Sequence, residues 1–353
     1  MVGLATPVAL AAGLNKAARN HILIRDTSAL EQMRNVDVVV FDKTGTLTEG
    51  HPTVIGWLWA QGQEEHYKDV LLAAESTSDH PLAEAIVTAL EGEEQVIPAH
   101  LDGFESIAGK GVRVAYQGAE YWVGSHKLLK DYQANLSDIL ADMLTQYESD
   151  GNSIVYFGRE NDLLAVIAIK DQLRVTSMEA IRELRIQDIE ICMLTGDGER
   201  TASSVAGSLG IMRFVADAMP DDKEDFIHKL QLQGKTVAMV GDGVNDARAL
   251  SCADVSIAMG KGTDTLMDTA MITLRTSDLL LLPKVFRLSR QTVSLMYRNL
   301  FWAFIYNTVG IFVAAGVLYP VYDILLSPAL AGAAMALSCV SVALSSLRLS
   351  SRF

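Results

Sequence analysis

The sequence predicts a doubly wound α/β domain, interrupted by an inserted α+β domain and followed by a helical hairpin that spans a membrane. Short β-branched runs recur along the chain, several of them separated by helix-like stretches, as expected of a parallel sheet covered by helices. The first run is set apart from the others by residues 50–158, whose pattern is different. Two long apolar spans close the chain.

Residues 36–41 (Val-Asp-Val-Val-Val-Phe) form an apolar, β-branched run that stops at Asp42. This is the pattern of a buried parallel strand with a polar residue at its carboxyl end. Similar runs stand at 163–169, 189–194, 236–240 and 255–259, with helical patterns at Ser177–Arg185, Glu199–Leu209 and Lys223–Leu232. In such a sheet the chemistry sits at the carboxyl ends of the strands. Within 50–158, Gly111–Tyr116 and Glu120–Val123 alternate around Gln117-Gly118, and Ser153–Phe157 can pair with 163–169 across Arg159–Asp162. Antiparallel hairpins with helices at Tyr67–Glu75 and Pro81–Glu91 make this an α+β insert. The expected limits are 36–49 with 159–283 for the discontinuous α/β domain and 50–158 for the insert. Residues 1–35 precede them, and 284–353 form the hairpin with its approach.

The apolar spans run from about Leu300 to Leu318 and from about Ile324 to Leu344, each near the ~20 residues a bilayer crossing needs. Neither contains Lys, Arg, Glu or His, and the Tyr319–Asp323 link has no basic residue. Lys284, Arg287, Arg290 and Arg298 precede the first span, and Arg348 and Arg352 follow the second. By the positive-inside tendency both ends lie in the cytoplasm, giving a multi-pass membrane protein with cytoplasmic catalytic domains.

The 353 residues suffice for two or three domains, and half of them are apolar. The formal net charge of −14 excludes a broad nucleic-acid footprint. Three scattered cysteines with no C-x-x-C pair argue against a disulfide framework and for a reducing setting. A signal peptide is the plain reading of the apolar start, Met1–Ala12, but no Lys or Arg precedes the run, which argues against it.

The chemistry-bearing segments follow the strands. Asp42-Lys43-Thr44-Gly45-Thr46-Leu47-Thr48 places a carboxylate at a strand end ahead of small and hydroxylic residues. That arrangement suits a nucleophile facing a phosphoryl group cradled by loop N–H groups. Thr195-Gly196-Asp197 follows the run at 189–194, and its hydroxyl and backbone N–H can hold phosphoryl oxygens. Lys223, in Met219–Lys223, can neutralise developing charge. Gly241-Asp242-Gly243-Val244-Asn245-Asp246 follows the run at 236–240, and Asp242 is a natural Mg²⁺ ligand beside Asp42.

Together and in this order these segments resemble the heavy-metal P-type ATPases, whose phosphorylation domain is haloacid-dehalogenase-like. The resemblance implies an aspartyl-phosphate at Asp42, with Lys43, Thr44, Thr195, Gly196, Asp197, Lys223, Asn245 and Asp246 around it. It implies Mg²⁺ held by Asp42, Thr44 and Asp242, and ATP as substrate. Ser78-Asp79-His80-Pro81 resembles the Ser-x-His-Pro motif of the metal-transporting branch, where the His contacts ATP. Glu75, Gly109, Gly111 and Gly124 match other nucleotide-site positions of that branch. In the spans, Tyr306-Asn307 and Met335-Ala-Leu-Ser338-Cys339 resemble the Tyr-Asn and Met-x-x-Ser-Ser signatures of the copper(I) pumps. Tyr306, Asn307, Met335 and Ser338 would then contact Cu⁺, for which a thioether is a suitably soft ligand.

The resemblance covers nearly the whole chain, with departures. Met1–Pro7 is similar to the stretch that follows a Cys-Pro-Cys ion site, but that motif, the actuator domain and earlier membrane helices are not in the sequence, so residues 1–35 would be the remnant of a membrane helix and its cytoplasmic extension. The expectation is a C-terminal portion that binds Mg-ATP, turns over slowly and does not transport alone. Its expected partners are the bilayer, the copper ion, and a copper chaperone or the missing pump domains. Ser125 replaces the Asn common after Gly124, Arg248 replaces a Pro, and Gln172 replaces the Pro that normally follows the Asp171 position. Two alternatives stand beside the pump: a membrane-anchored phosphatase of the haloacid-dehalogenase superfamily, and a non-catalytic remnant that binds nucleotide or copper. Thr44 stands where soluble phosphatases of that superfamily carry an acid, which argues against the first.

Overall fold

The computed structural model describes residues 2–60, 64–78, 80–93, 96–134, 138–242, 246–260, 269–276, 278–315, 332, 336, 340–342 and 345–346. Two sheets organise these residues.

The larger sheet has seven strands: β1 (Ile22–Ile24), β2 (Val38–Asp42), β9 (Glu190–Leu194), β10 (Arg213–Val215), β11 (Val237–Gly241), β12 (Val255–Met259) and β13 (Ile272–Leu274). Their order is β1-β13-β12-β11-β2-β9-β10, and every neighbouring pair is parallel except β1 with β13. Strand β2 is buried along its whole length. Val39 and Phe41 enter the core on one face, Val38 and Val40 the core on the other. Both faces are thus covered, which explains why the sequence runs apolar without alternation. The connecting helices are α7 (Ser177–Ile186), α8 (Glu199–Leu209), α9 (Pro220–Leu232) and α10 (Ala247–Cys252).

The smaller sheet has six antiparallel strands in the order β3-β8-β7-β6-β5-β4. They are β3 (Thr53–Trp59), β4 (Gly103–Ile107), β5 (Gly111–Tyr116), β6 (Ala119–Gly124), β7 (Ser153–Arg159) and β8 (Asp162–Lys170). Gln117 and Gly118 carry positive φ (51° and 77°) in the tight β5–β6 turn. Helices α3 (Glu64–Glu75), α4 (Pro81–Glu91), α5 (His126–Asp131) and α6 (Asp138–Ser149) complete this lobe. Leu71, Ile86, Val123, Phe157 and Ile167 lie in its core.

One strand settles between two placements that its sequence allows. The run at 163–169 was expected both as a hairpin partner and as a recurrence of the α/β pattern. It is β8, paired with β7 and β3, and belongs to the antiparallel sheet. The limit expected at 158/159 therefore falls inside the β7–β8 hairpin. A central antiparallel strand covered on both faces has the same apolar pattern as a parallel one.

The first helix packs against the last long helix among the described residues. Helix α1 (Val2–Arg19) lies along α11 (Leu281–Ala314), where Ala9 meets Leu295 and Met296, and Lys16 Nζ donates to Gln291 at 3.2 Å. After β1 and the short helix α2 (Ser28–Gln32), Ile22, Ala29 and Met33 join the core of the seven-stranded sheet. Part of the segment expected as a helix remnant is thus integral to the α/β core. Helix α11 leaves that core and continues past Asn299 with Phe301, Phe304, Val309 and Phe312 exposed. Asn299 Nδ2 donates to Ser346 Oγ at 3.1 Å, so the described helical pieces near the C-terminus return beside α11. No helix among the described residues is long and apolar enough to cross a membrane. The described part of the first expected span ends at Ala315, the C-cap of α11, and most of the second span lies outside the described residues.

Candidate active site

Three adjacent parallel strands deliver the central residues. β2 lies between β9 and β11, with Asp42 in register with Leu194 and Phe41 with Val240. Their carboxyl ends lead directly into Asp42–Thr48, Thr195–Asp197 and Asp242. The turn after Asp42 is tight. Gly45 has φ +69°, and a Cβ there would run into the Asp242 carboxylate. Only glycine lets the loop pass so close to a neighbouring acid. Gly45 N donates to Thr48 Oγ1 at 2.9 Å. Buried Arg174 donates to the carbonyls of Gly45 (2.5 Å) and Thr46 (2.9 Å). Asp171 accepts from Thr48 Oγ1 (2.5 Å) and Gly50 N (3.1 Å). Thr44, half-buried, has an extended backbone between these anchored residues.

Charge is concentrated here. Lys223 Nζ donates to Asp42 Oδ1 at 2.5 Å and to Asp246 Oδ1 at 2.7 Å. Burial works against the Lys223 charge, but Asp42 and Asp246 outweigh it and raise its pKa. Carboxylate oxygens of Asp42, Asp242 and Asp246 lie within 4.8 Å of one another. Burial, then the charges of Asp42 and Asp246, pushes Asp242 up to about 7. Burial and Asp42 do the same to Asp246, against the pull of Lys223. Three converging carboxylates offer hard oxygens, and two of them, Asp242 and Asp246, are held toward the neutral form, which fits a small divalent cation such as Mg²⁺.

A second ion pair flanks the first. Lys43 pairs with Asp197 and donates to Ser153 Oγ at 3.1 Å. Asp197 also accepts from Ser153 Oγ (2.9 Å) and Thr195 Oγ1 (3.1 Å). Burial alone would raise the Asp197 pKa, but Lys43 and these hydroxyls lower it. Thr195 is buried, and Gly196 follows it at the strand end.

The smaller lobe closes over this end of the sheet. Lys127 Nζ donates to the Asp217 carbonyl at 2.5 Å, and a Cβ at Gly109 would strike Met219. His80 caps α4, its Nδ1 accepting from Leu82 N at 3.2 Å. That bond leaves Nε2 as the protonated nitrogen of a neutral ring. Although the side chain keeps an exposed edge, desolvation lowers its pKa, opposed by Asp197 and Asp42, so the ring shares the field of the Asp42 site. Glu75 is buried at the end of α3, and burial raises its pKa to about 7. Gly111 and Gly124 face each other across β5 and β6, and a Cβ on Gly111 (φ +144°) would overlap Val123 O and Gly124 Cα. Packing between the strands is thus sufficient reason for glycine at both positions.

The structure therefore brings together Asp42, Lys43, Thr195, Asp197, Lys223, Asp242 and Asp246. Asn245, Met335 and Ser338 lie outside the described residues. Tyr306 and Asn307 are exposed on α11, where Tyr306 stacks on Trp302. Ser153 is an addition that the sequence did not signal, because a serine opening a strand of the insert has no motif around it. Of the departures, Arg248 is exposed and pairs with Asp221 at 2.5 Å. The Gln172 carbonyl accepts from Glu49 N (2.8 Å). Ser125 Oγ is buried without a hydrogen-bond partner among the described residues.

A parallel sheet with an acid at its central strand end, a lysine bridge and two further aspartates defines the class. The chain belongs to the haloacid dehalogenase-like hydrolases, whose family model matches residues 36–254. Within that class its likeness is to the heavy-metal P-type ATPases. It is 42% identical over 348 residues to a copper-exporting P-type ATPase of Legionella pneumophila, covering 99% of this chain and 47% of the relative. It is 43% identical over 353 residues to a silver exporting P-type ATPase of Salmonella typhimurium, covering 99% of this chain and 42% of the relative. The chain thus spans less than half the length of these curated relatives. Among solved structures, a zinc-transporting PIB-type ATPase in its E2.Pi state aligns with TM-score 0.68 at 34% identity, over 99% of this chain and 55% of that one.

Proposed function

We propose that the chain carries the ATP-driven phosphorylation machinery of a copper(I) pump, with Asp42 as the phosphorylated residue. The observation that carries the reading is the Asp42 carboxylate at the end of β2, held by Lys223 and within cation-sharing distance of Asp242 and Asp246. With Oδ1 held by Lys223, Oδ2 attacks the γ-phosphorus of ATP. A new O–P bond forms, the bond to the bridging oxygen breaks, and ADP leaves with that electron pair. Lys223 neutralises charge as it develops, while Thr195 and the Gly196 backbone receive phosphoryl oxygens. Mg²⁺, when bound by Asp42, Asp242 and the Thr44 segment, supplies electrophilic stabilisation of the transferred group. Asp246 lies beside Asp42 and Asp242, Asn245 joins them by the family resemblance alone, and the Lys43–Asp197 pair fixes the loop.

The smaller lobe holds the nucleotide. The neutral His80 ring offers an Nε2–H donor, and Glu75, Gly109, Gly111 and Gly124 are the further nucleotide contacts that the family resemblance implies. The likeness to copper and silver exporters favours a monovalent soft cargo, with Tyr306, Asn307, Met335 and Ser338 as its membrane contacts. In this reading the segments 300–318 and 324–344 lie in the bilayer and the two catalytic lobes in the cytoplasm. A copper chaperone or further pump domains are the expected partners.

Exchange of label between ADP and ATP tests the first half-reaction without requiring hydrolysis. Mg²⁺-dependent exchange that disappears in Asp42→Asn and Asp242→Asn is expected. Exchange that survives Asp42→Asn would remove Asp42 from its role.

A further inference from the structure

Outside the Asp42 site, α9 and α10 bring together a second set of metal-ligating side chains. Glu224 and His228 stand four residues apart on α9 and so share one face. Cys252 ends α10. Ligand atoms of all three lie within 4.8 Å of one another. Cys252 Sγ is 3.5 Å from Glu224 Oε1, and His228 Nε2 is 3.8 Å from the same oxygen. A tetrahedral zinc-type ion binds sulfur at about 2.3 Å and nitrogen or oxygen at about 2.0–2.2 Å, which sets ligand atoms about 3.4–3.6 Å apart. The two pairs that share Glu224 Oε1, at 3.5 and 3.8 Å, already lie within a few tenths of an ångström of that spacing.

The surroundings select the ligating nitrogen. His228 Nδ1 lies 3.2 Å from Gln231 Oε1. Gln231 is itself oriented, its Nε2 donating to the Cys252 carbonyl at 2.8 Å and to Asp254 Oδ2 at 3.3 Å. With Nδ1–H donating to Gln231, the Nε2 lone pair points toward Glu224. Metal-bound histidines are held in this way, one nitrogen on an oxygen acceptor and the other on the ion. A protonated His228 paired with Glu224, with Cys252 Sγ donating to the same carboxylate, would hold the three without an ion, but such surface pairs contribute little. His228 is exposed and the other two are half-buried, so an ion has access.

We propose that Glu224, His228 and Cys252 form a second metal site that takes a zinc-class divalent ion through sulfur, imidazole and carboxylate, with water as the fourth ligand. This donor set suits a borderline metal and is distinct from the all-oxygen set around Asp42. The ion ties α9 to α10. Lys223 precedes Glu224 on α9, and Asp246 caps α10, so the site clamps the two elements that form the 2.7 Å Lys223–Asp246 contact. The inference stands independently of whether Asp42 is phosphorylated.

Cobalt(II) titration of the full chain tests the site. The expected result is a thiolate-to-cobalt charge-transfer band, displaced by Zn²⁺, which the sulfur-free Asp42 cluster does not produce. Cys252→Ser abolishes the band, whereas Cys192→Ser retains it. His228→Ala, at an exposed position that does not threaten the fold, weakens Co²⁺ binding at least about tenfold. Absence of the band in the unmodified chain, its survival in Cys252→Ser, or undiminished affinity in His228→Ala would overturn the proposal.

Discussion

Replacing Lys223 by Met probes the electrostatic centre of the site. The ammonium is buried and makes two charge-assisted hydrogen bonds, 2.5 Å to Asp42 and 2.7 Å to Asp246. Met keeps most of the volume but strands two buried carboxylates beside a third, Asp242. Removing one partner of a buried pair costs about 3–5 kcal/mol. Because the folded Lys223 pKa is raised, its contribution is fully present below the unfolded value of about 10.4 and is lost only as pH rises through the folded value. At neutral pH the whole effect should appear. Urea unfolding should show the loss without Mg²⁺, and a double-mutant cycle with Asp42→Asn should give a coupling of at least about 1 kcal/mol. Mg²⁺ should stabilise the variant more than the parent, since a divalent ion replaces the missing charge. A loss below about 1 kcal/mol, the level of a surface pair, or full additivity with Asp42→Asn, would refute the reasoning.

Other perturbations have equally definite signs. Asp242 and Asp246 carry folded pKa values raised to about 7, so without metal they lower stability as pH rises from about 4 to about 7. Mg²⁺ needs the ionised forms, so its affinity should climb over the same window and level off above it, as read by Mg²⁺-induced thermal shifts. Glu75, also raised to about 7, penalises the folded state above that pH. Glu75→Gln should therefore stabilise by about 3 kcal/mol at pH 8 and be near neutral at pH 4, while a loss of ATP affinity would separately report nucleotide contact. Gly111→Ala should cost about 1–3 kcal/mol in chemical denaturation, because its Cβ meets the β6 backbone.

Much of the α/β core was legible because buried parallel strands leave uninterrupted β-branched runs, as at 36–41, 189–194, 236–240 and 255–259. The short strands β1, β10 and β13 were not legible, since three residues carry no period. Strand β8 reads two ways, as the hairpin partner of 153–157, which it is, and as a strand of the parallel sheet, which it is not, because burial on both faces erases the alternation that marks an antiparallel strand. The site residues stood out wherever chemistry demands a fixed spacing after a strand, as in Asp42–Thr48 and Asp242–Asp246. What spacing could not show was which residues hold the loop from outside. Arg174 anchors it from beyond the insert, and Ser153 reaches Lys43 and Asp197 from a strand of the other sheet. Gly111 and Gly124 show the opposite limit: a motif match for nucleotide contact coincides with a packing requirement, and only ligand binding separates the two.

The most direct test of the central claim is incubation of the purified chain with Mg²⁺ and ATP labelled in its γ-phosphate, followed by acid quench and peptide mapping. The account predicts an acid-stable, hydroxylamine-labile label on the peptide containing Asp42, absent from Asp42→Asn. A label on any other residue, or none while ATP still binds, would contradict it.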